Sequence, residues 1–397
     1  MSGNGSSSTT HRPPACVIGE IDLVRALGLA GIRSVVVSPP GDFTRYSRFT
    51  SGSIDPIDAQ QHPDELVERL LAWSRGQPEK PVLYYNGDWD LLAVSRFRDQ
   101  LSAGFRFVVP DETLVEDLVD KTRFQRLAEE RDLPVPRSVT LAAGSGSGEV
   151  DLRFPVVVKP VTRHHGNWKP IARAKVVECG TEEELALLKQ RLDEAGVEVF
   201  VQELVPGPET LIESYHVYVD EAGDVVGEFT GKKIRTYPEH NGYSTALVIT
   251  DAPDVTELGR DIVRRIDLRG VAKFDFKRDQ DDGRLHLLEV NPRFNLWHHP
   301  GAVAGVNIPD LVYRDLVGLP RPPAATARAG VRWVSPWRDA QAVRAQHVPL
   351  RSWIPWLISC EAKCAVAWDD PLPFFRAGTY RAVHKLRDRL RPGRQSD

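Results

Sequence analysis

The sequence predicts a mixed fold, a parallel α/β domain followed by an α+β domain, and two observations lead to it. The first is a β-α-β opening, in which apolar runs at 15–19 and 34–37 flank the helical spacing of IDLVRALGLAG. The second is a series of strand-like segments separated by short turns, a pattern typical of antiparallel sheet. These segments lie at 211–219, 224–230, 271–279 and 285–291.

The composition is that of an ordinary globular protein. Of its 397 residues, 41% are hydrophobic and 27% are charged, which is enough apolar material for two or three cores. The formal charge of −4 predicts no general attraction to nucleic acid. The four cysteines form no CxxC pair, which favours a reducing compartment. We therefore expect a cytoplasmic protein that does not bind nucleic acid.

The first residues do not resemble a targeting segment. Residues 1–14 are polar and rich in serine and glycine, and we interpret them as a disordered tail. They lack the apolar run of a signal peptide, and no later run is long enough for a transmembrane segment.

The α/β domain is predicted to span 15–110. Its first helix ends at Gly31, a residue typical of a helix C-terminus. A third strand, PVLYYNGD, ends at Asp88 and precedes the helical run WDLLAVSRFRDQL. Because groups at the carboxyl ends of parallel strands line the ligand crevice, Asp88 is a candidate site residue. A helix N-cap is the alternative role, and the sequence leaves both open.

The second domain is predicted to span 111–320. It begins with a helix from about 112 to 132, which stops before the prolines of the run LPVP. A flexible Gly/Ser run at 142–150 leads into the buried strand RFPVVVKP, which carries Lys159 at its end. The strand-like run VEVFVQELVPGPE follows and ends in a Pro/Gly turn.

Residues 321–397 are interpreted as a linker and a C-terminal extension. The run RPPAATARAG has the composition of a linker, and five tryptophans after it indicate that the extension packs against something. The basic tail from 376 to 394 has the spacing of an amphipathic helix. It is either a solvated helix or a weak contact for an anionic membrane surface or a partner. A homodimer also stays open.

The strand LHLLEVN at 285–291 carries polar residues that a buried strand does not need. The run Asp281-Asp282-Gly283 between two strand-like segments predicts a hairpin with Gly283 at positive φ. A three-residue loop would place Asp275 opposite Glu289 and, by the same register, Lys273 opposite Asn291.

Opposed carboxylates in this hairpin suggest a bound cation. Directly opposed like charges repel, and a cation between them would relieve the repulsion. Two acids and an amide offer oxygen ligands, which suit Mg²⁺. The alternative is that Asp275 and Glu289 lie on a solvated sheet face, although the neighbouring Phe274, Phe276 and Leu287 favour a core layer.

Basic residues accumulate at two positions. Lys159 closes an apolar strand, where it either reaches solvent or contacts a phosphate. The run FTGKKIRTYPEHNGYST groups Lys232, Lys233 and Arg235. Such a cluster either binds a triphosphate or an anionic substrate, or forms a solvated loop.

Taken together, the LLEVNPRF and DFK motifs and their spacing resemble the ATP-grasp superfamily, most strongly its carboxylate–amine ligase branch with D-aspartate ligase-like enzymes. The similarity covers about 15–320. It implies an N-terminal pre-ATP-grasp α/β domain and two α+β subdomains that enclose ATP, with a lid at about 153–205. It also implies an ADP-forming reaction in which ATP phosphorylates a small-molecule carboxylate and an amine displaces phosphate from the acyl phosphate. The implied ion is Mg²⁺, with Mn²⁺ as an alternative.

The resemblance also implies roles for individual residues. Lys121 and Lys159 would contact the phosphates. The backbone of the hinge would contact the edge of the adenine, and Glu209 would contact the ribose. The hinge comprises Gln202, Glu203, Leu204 and Val205. The transferred phosphate would lie near the catalytic residues Lys233, Arg235 and Arg293. The metal ligands would be Asp275, Glu289 and Asn291.

Two features depart from this family. Many ATP-grasp enzymes have a glycine-rich loop over the phosphates, whereas this chain reads TRHHGNWKP at 162–170. His164, His165 and Lys169 are therefore candidates for that role. The first domain has one glycine in VIGEID and lacks GxGxxG, so it does not predict a dinucleotide site.

Two other functions stay open. A zinc hydrolase could use the histidine pairs at 164–165 and 298–299, but no HExxH spacing is present. A nucleotide-binding regulatory or interaction protein without turnover is the second alternative. His298 and His299 follow the proposed metal strand, where they either orient a substrate, act as acid or base, or support the structure.

Overall fold

The computed structural model describes residues 12–148, 150–161, 166–174, 176–239 and 242–389, without the side chains of Lys169 and 381–389. Most of the predicted disordered tail lies outside these residues. Its end is packed, because the carbonyl of buried Pro13 accepts a hydrogen bond from Tyr313 at 2.5 Å. The carbonyl of Pro14 accepts from the N–H of Val82 at 3.2 Å. The tail prediction is therefore wrong for these two residues.

The first domain contains a four-stranded parallel sheet of order β3-β2-β1-β4, and the predicted β-α-β opening is confirmed. The runs ACVI, SVVV and VLYY are buried along their whole length, as expected for parallel strands covered on both faces. The elements are β1 (Ala15–Ile18), α1 (Ile21–Leu29), β2 (Ser34–Val37), β3 (Thr50–Ile54), α2 (Pro63–Ser74), β4 (Val82–Tyr85), α3 (Asp88–Arg96) and α4 (Arg98–Ser102).

The connection to the second domain consists of two helices, so the prediction of one helix from 112 to 132 is wrong. They are α5 (Glu112–Val119) and α6 (Lys121–Glu130). Asp120 between them has an extended backbone, and its side chain accepts from the N–H of Arg123 at 2.9 Å. An aspartate that binds the free N–H groups of a new helix turn ends one helix and begins the next.

A small antiparallel sheet of order β5-β8-β6-β7 follows. Its valines pack against Leu185, Leu188 and Leu192 of α8, the long helix that connects β7 to β8 in the chain. The sheet begins at Ser138, before the predicted start of the lid at 153. Its elements are β5 (Ser138–Leu141), β6 (Val156–Pro160), α7 (Trp168–Ala172), β7 (Val177–Cys179), α8 (Glu182–Glu194) and β8 (Val199–Glu203).

The central sheet has seven strands in the order β13-β12-β9-β10-β11-β14-β15. The predicted strands at 211–219, 271–279 and 285–291 are confirmed within one residue, whereas the strand at 224–230 continues to Tyr237. The first elements are β9 (Ile212–Val219), β10 (Val225–Tyr237), β11 (Tyr243–Thr250), α9 (Pro253–Arg265), β12 (Gly270–Arg278), β13 (Leu285–Asn291), α10 (His298–Val303) and α11 (Ile308–Val317).

The two faces of this sheet are buried against different layers. Phe274 and Phe276 point to one face and pack with α5, α6 and α9. Tyr218 and Val271 belong to the other face, which packs against the first domain and α10. We call the second face the site face, because it also carries Asp275.

The C-terminal extension is part of the central sheet. Its elements are β14 (Arg332–Val334), α12 (Pro336–Ala345), α13 (Leu350–Ser359), β15 (Ala362–Lys363) and α14 (Leu372–Arg389). β14 pairs with β11, and β15 pairs with β14. No described helix is both long and apolar enough to cross a membrane.

A buried ion pair anchors α12 to the sheet. The fully buried carboxylate of Asp339 accepts from the Arg235 guanidinium at 2.8 and 2.7 Å. It also accepts from the Thr245 hydroxyl at 2.8 Å and from the Trp353 indole at 2.7 Å. One acidic side chain therefore satisfies donors from β10, β11 and α13.

We expect Asp339→Ala to destabilise the protein by about 3–5 kcal/mol, because it leaves a buried guanidinium and two further donors without an acceptor. Asp369→Ala is the control, since the Asp369–Arg48 pair is half exposed and should contribute less than about 1 kcal/mol. Urea unfolding of both variants measures the difference. Equal stabilities would show that the buried pair does not hold the extension.

Candidate active site

The hairpin of β12 and β13 has the register that the sequence predicted. Asp275 lies opposite Glu289, and Lys273 lies opposite Asn291. All four residues lie at the end of the hairpin that is remote from the turn.

The turn itself differs from the prediction. Gly283 has the predicted positive φ of 73°, but the backbone N–H of Asp279 bonds to Arg284 O at 2.8 Å, so the loop has four residues instead of three. The pairing is displaced by one residue near the turn, and a β-bulge at Leu288 restores it before Glu289. The loop is one residue longer than predicted, and the bulge offsets the resulting shift in register. The sequence pattern could not reveal either feature.

Asp275 is buried and already has a cationic partner. The Lys273 ammonium donates to its Oδ2 at 2.5 Å, and the Ser214 hydroxyl donates to its Oδ1. Burial lowers the pKa of Lys273, while the adjacent Asp275 acts in the opposite direction. The sequence predicted a bound cation between the opposed carboxylates of Asp275 and Glu289. The protein supplies part of that charge through Lys273, which alternation on the strand could have identified.

Glu289 and Asn291 complete a set of oxygen donors with Asp275. The Asn291 amide donates to Glu289 Oε1 at 3.0 Å, and Glu289 is exposed. The donors are two carboxylates and an amide carbonyl from two neighbouring strands. This chemistry fits a hard divalent cation such as Mg²⁺ or Mn²⁺.

Arg293 connects this strand to the first domain. Its Nε donates to Asp88 Oδ1 at 2.6 Å and its Nη1 to the carbonyl of Asn86 at 2.8 Å. Its Nη2 donates to Asn291 Oδ1 at 3.3 Å. Burial lowers the pKa of Arg293, and the acidic Glu289 and Asp90 oppose this shift. The end of β13 thus meets the carboxyl end of β4.

Asp88 follows β4 and contacts Arg293 at the end of β13, so it lies where the first domain meets the central sheet. It is the first residue of α3, and Gly87 is the N-cap, so the capping alternative for Asp88 is wrong. Asp90 takes the capping role instead, since its Oδ2 accepts from the Gly87 N–H at 3.2 Å. Burial raises the pKa of Asp90 to about 6. Burial and the nearby Asp22 also raise the pKa of Glu20, which follows β1.

A β-bulge separates the two predicted basic residues of β10. Lys233 pairs with Leu247 and Arg235 with Ala246, so Ile234 is an extra residue between them. Leu247 packs on the site face, whereas Ala246 packs against the C-terminal extension. Lys233 is close enough to lower the pKa of Lys273. Arg235 points to the opposite face, where it binds Asp339.

The two predicted phosphate lysines converge on the end of β6. Lys159 Nζ donates to Gln202 Oε1 at 3.3 Å. Lys121 Nζ donates to the carbonyl of Pro160 at 2.9 Å, although it lies 39 residues earlier in the chain. The predicted lid histidines His164 and His165 lie outside the described residues, as does the side chain of Lys169.

The predicted adenine hinge comprises the last two residues of β8, Gln202 and Glu203, and the two residues after it. The N–H groups of Glu203 and Leu204 donate to Arg137 O at 2.9 Å and Pro155 O at 3.0 Å, so both are engaged within the small sheet. An adenine bound at this segment would have to form its hydrogen bonds with other backbone groups. Val205 is buried, and Glu209 begins a 3₁₀ turn. Burial lowers the pKa of Lys277, and the nearby Glu209 opposes this shift.

The histidines after β13 are buried and do not form a metal centre with each other. Burial lowers the pKa of His298 to about 3, so it is neutral at physiological pH. His299 Nδ1 lies 2.9 Å from Asp22 Oδ1 of the first domain. Within the described part of the chain, one acidic and histidine grouping has metal-like spacing, and it lies in the hairpin turn at Asp279, Asp282 and His286.

Comparisons with known proteins agree with this geometry. Residues 198–336 match the family described as ATP-grasp in the biosynthetic pathway with Ter operon. D-aspartate ligase of Enterococcus faecium strain Aus0004 is 28% identical over 290 residues, covering 69% of this chain and 68% of the relative. D-alanine–D-alanine ligase of Xanthomonas axonopodis pv. citri is 25% identical over 222 residues, covering 50% and 64%.

The fold is also that of solved ATP-grasp structures. A biotin carboxylase of Campylobacter jejuni aligns with a TM-score of 0.60 at 13% identity, covering 80% of this chain and 74% of that one. The chain therefore has the ATP-grasp fold, and its residues 198–336 match an ATP-grasp family. Both relatives are ligases, which agrees with an ATP-grasp ligase.

Glu289→Gln should separate a metal ligand from a structural carboxylate. Because Glu289 is exposed and Lys273 already neutralises Asp275, the stability without metal should change by less than about 0.5 kcal/mol. Metal-dependent turnover should fall by about two orders of magnitude. Glu257→Gln, on the exposed face of α9, is the matched control and should retain turnover. Full activity in Glu289→Gln would exclude Glu289 as a ligand.

Asp90 should make stability depend on pH. Its raised pKa means that the folded state binds this proton more tightly than the unfolded chain, so stability falls as pH rises from about 4 to about 6 and stays lower above that. Asp90→Asn keeps an oxygen for Gly87 and should be about 1 kcal/mol more stable than wild type at pH 8, with no gain near pH 4.

Urea unfolding at both pH values tests the Asp90 prediction. Asp99→Asn, an exposed position on α4 of the same domain, is the control. A gain for Asp90→Asn that is equal at both pH values would contradict the proposed origin of the effect.

Proposed function

We propose that this protein is an ATP-dependent ligase that joins a carboxylate to an amine through an acyl phosphate, with release of ADP and phosphate. The observation that carries the proposal is the position of Arg293. It links the oxygen ligands at the end of β13 to Asp88 at the end of β4. A carboxylate bound in this crevice would lie between the nucleotide site and the first domain.

In the first step, a carboxylate oxygen attacks the γ-phosphorus of ATP, and the bond from that phosphorus to ADP breaks. A divalent ion held by Asp275, Glu289 and Asn291 would supply neutralisation of phosphate charge when bound. Arg293 and Lys233 are the chain's own cations for the charge that develops during transfer. Arg235 has no part in this step, because the β10 bulge directs it to Asp339.

The nucleotide would lie between the small sheet and the central sheet. Lys121 and Lys159 meet at the end of β6 and would bind its phosphates as point charges. The hinge at 202–205 would meet the adenine, and Glu209 would reach the ribose.

In the second step, the amine nitrogen attacks the carbonyl carbon of the acyl phosphate. The carbon–oxygen bond to the phosphate breaks, and phosphate leaves with the electron pair. The amine must also lose a proton. Asp90 suits this role, because a pKa of about 6 allows a carboxylate to accept a proton near neutral pH and release it again.

The substrates are proposed from the relatives. Both aligned ligases are named for amino acids, D-aspartate and D-alanine. We therefore expect an amino acid as one substrate of this protein. The acidic groups Glu20, Asp88 and Asp90 would bind an ammonium group, and the guanidinium of Arg293 among them would bind a carboxylate.

The proposal predicts ADP and phosphate as products. Purified protein should be incubated with ATP, Mg²⁺ and a matrix of D- and L-amino acids as carboxylates and amines, with phosphate release as the readout. Chromatography of the productive pairs should show ADP, and EDTA should abolish turnover until Mg²⁺ or Mn²⁺ is restored. AMP among the products would exclude the acyl phosphate, and nucleotide binding without turnover would favour a regulatory protein.

A further inference from the structure

Exposed apolar side chains are concentrated in the C-terminal extension. Among the described residues, twelve large hydrophobic side chains are exposed, and seven of them fall between positions 337 and 375. Large exposed apolar patches usually mark an interaction surface. The seven are Trp337, Leu350, Ile354, Ile358, Trp368, Leu372 and Phe375.

Helix α13 presents an apolar stripe to solvent. Leu350, Ile354 and Ile358 recur at every fourth position and are exposed, the two isoleucines by 48% and 74%. Residues spaced by four lie on one side of a helix. No residue of α13 is buried, although seven of its ten side chains are apolar if the proline is included.

Contacts on the other side of α13 fix its orientation. The Trp353 indole donates to Asp339 at 2.7 Å. The Trp356 ring lies under the guanidinium groups of Arg235 and Arg332, at 5.3 and 4.8 Å. Both tryptophans therefore hold the helix to the sheet, and the isoleucine side must face outward. Rotation of the helix to hide the stripe would break the Asp339 network.

The remaining exposed aromatic residues lie near the start of α14. Trp337 stacks on Phe374 with ring centroids 5.8 Å apart, and Phe374 contacts Phe375. Trp368, in the connection before α14, is 97% exposed. Tryptophan is the side chain that proteins place at membrane–water interfaces, because its ring is apolar and its N–H is polar.

The same extension is strongly basic in an acidic protein. Residues 321–397 contain 14 lysines and arginines but six aspartates and glutamates, while the whole chain has a net charge of −4. Arg351 is exposed next to the stripe on α13, and Arg376 is exposed next to Phe375. Positive charge thus accompanies the exposed apolar groups.

We propose that the C-terminal extension docks this protein on an anionic phospholipid surface, with the α13 stripe inserted at the level of the headgroups. Apolar side chains, interfacial tryptophans and basic residues on one segment are the combination that binds such a surface. A symmetric contact with a second copy fits less well, because it would bring two cationic extensions together. The docking is peripheral, since no described helix could span a bilayer.

Vesicle sedimentation of the full chain tests the proposal. The protein should sediment with vesicles of phosphatidylcholine containing about 30% phosphatidylglycerol and stay in solution with pure phosphatidylcholine. Raising the salt from about 0.1 to about 1 M should weaken binding, because the screening length falls from about 10 to about 3 Å. Ile354→Ser with Ile358→Ser should reduce the partition coefficient at least about tenfold.

Matched controls are available elsewhere in the chain. Leu29 and Leu187 are exposed by 51% and 66%, in α1 and α8, so Leu29→Ser with Leu187→Ser removes similar apolar area without affecting the extension. This double variant should bind anionic vesicles like wild type. Arg351→Gln with Arg376→Gln should weaken binding about tenfold at low salt. All variants change exposed residues, and their unchanged thermal melting should confirm that they are folded.

Two results would overturn the proposal. One is an absence of wild-type binding to anionic vesicles, or equal binding by wild type and the isoleucine variant. The other is a concentration-dependent dimer, detected by analytical ultracentrifugation, that the isoleucine variant abolishes and anionic vesicles do not disrupt. That result would assign the α13 stripe to self-association. Neither result depends on ligase turnover, so the test is independent of the proposed reaction.

Discussion

The guanidinium of Arg293 is the interaction on which the architecture of the site depends. It bonds to a side chain and a backbone carbonyl of the first domain and to Asn291 in the central sheet. Its planar, multidentate geometry matches these three acceptors, which the single ammonium of a lysine could not reproduce. Arg293 thereby joins the end of β4 to the end of β13, where the proposed reaction would take place.

The two acidic residues of the β12–β13 hairpin, Asp275 and Glu289, lie in different environments. Asp275 is buried and held by Lys273 and Ser214, so its position is set before any ion binds. Glu289 on the partner strand is exposed. If the proposed divalent ion binds here, one ligand is already held in place and the other can adjust, so the protein would not need to reorganise its buried charge.

One β-bulge gives the basic run of β10 two different uses. It leaves Lys233 on the site face and turns Arg235 to the back of the sheet, where Asp339 and Trp356 receive it. The same Asp339 holds Trp353, so the buried ion pair also determines which side of α13 faces solvent. Lys233 on the site face and Arg235, which helps to orient the apolar stripe of α13, are therefore close neighbours on one strand.

The sequence alone determined the features that depend on local chemistry. Uninterrupted apolar runs identified β1, β2 and β4, and the Asp-Gly turn identified the hairpin. The predicted pairing of Asp275 with Glu289 is correct because the longer loop and the bulge at Leu288 cancel. The LLEVNPRF motif indicated the family, which the comparisons confirm. These signals lie within a few residues of each other, where backbone geometry restricts the outcome.

Tertiary structure decided what depends on residues far apart in the chain. Arg293 and Asp88 are 205 residues apart, and Arg235 and Asp339 are 104 apart, so no sequence spacing links them. The bulges at Ile234 and Leu288 depend on how a strand fits its neighbours rather than on its own residues. The resemblance implied that Lys233 and Arg235 both lie near the transferred phosphate, whereas the bulge at Ile234 places them on opposite faces of the sheet.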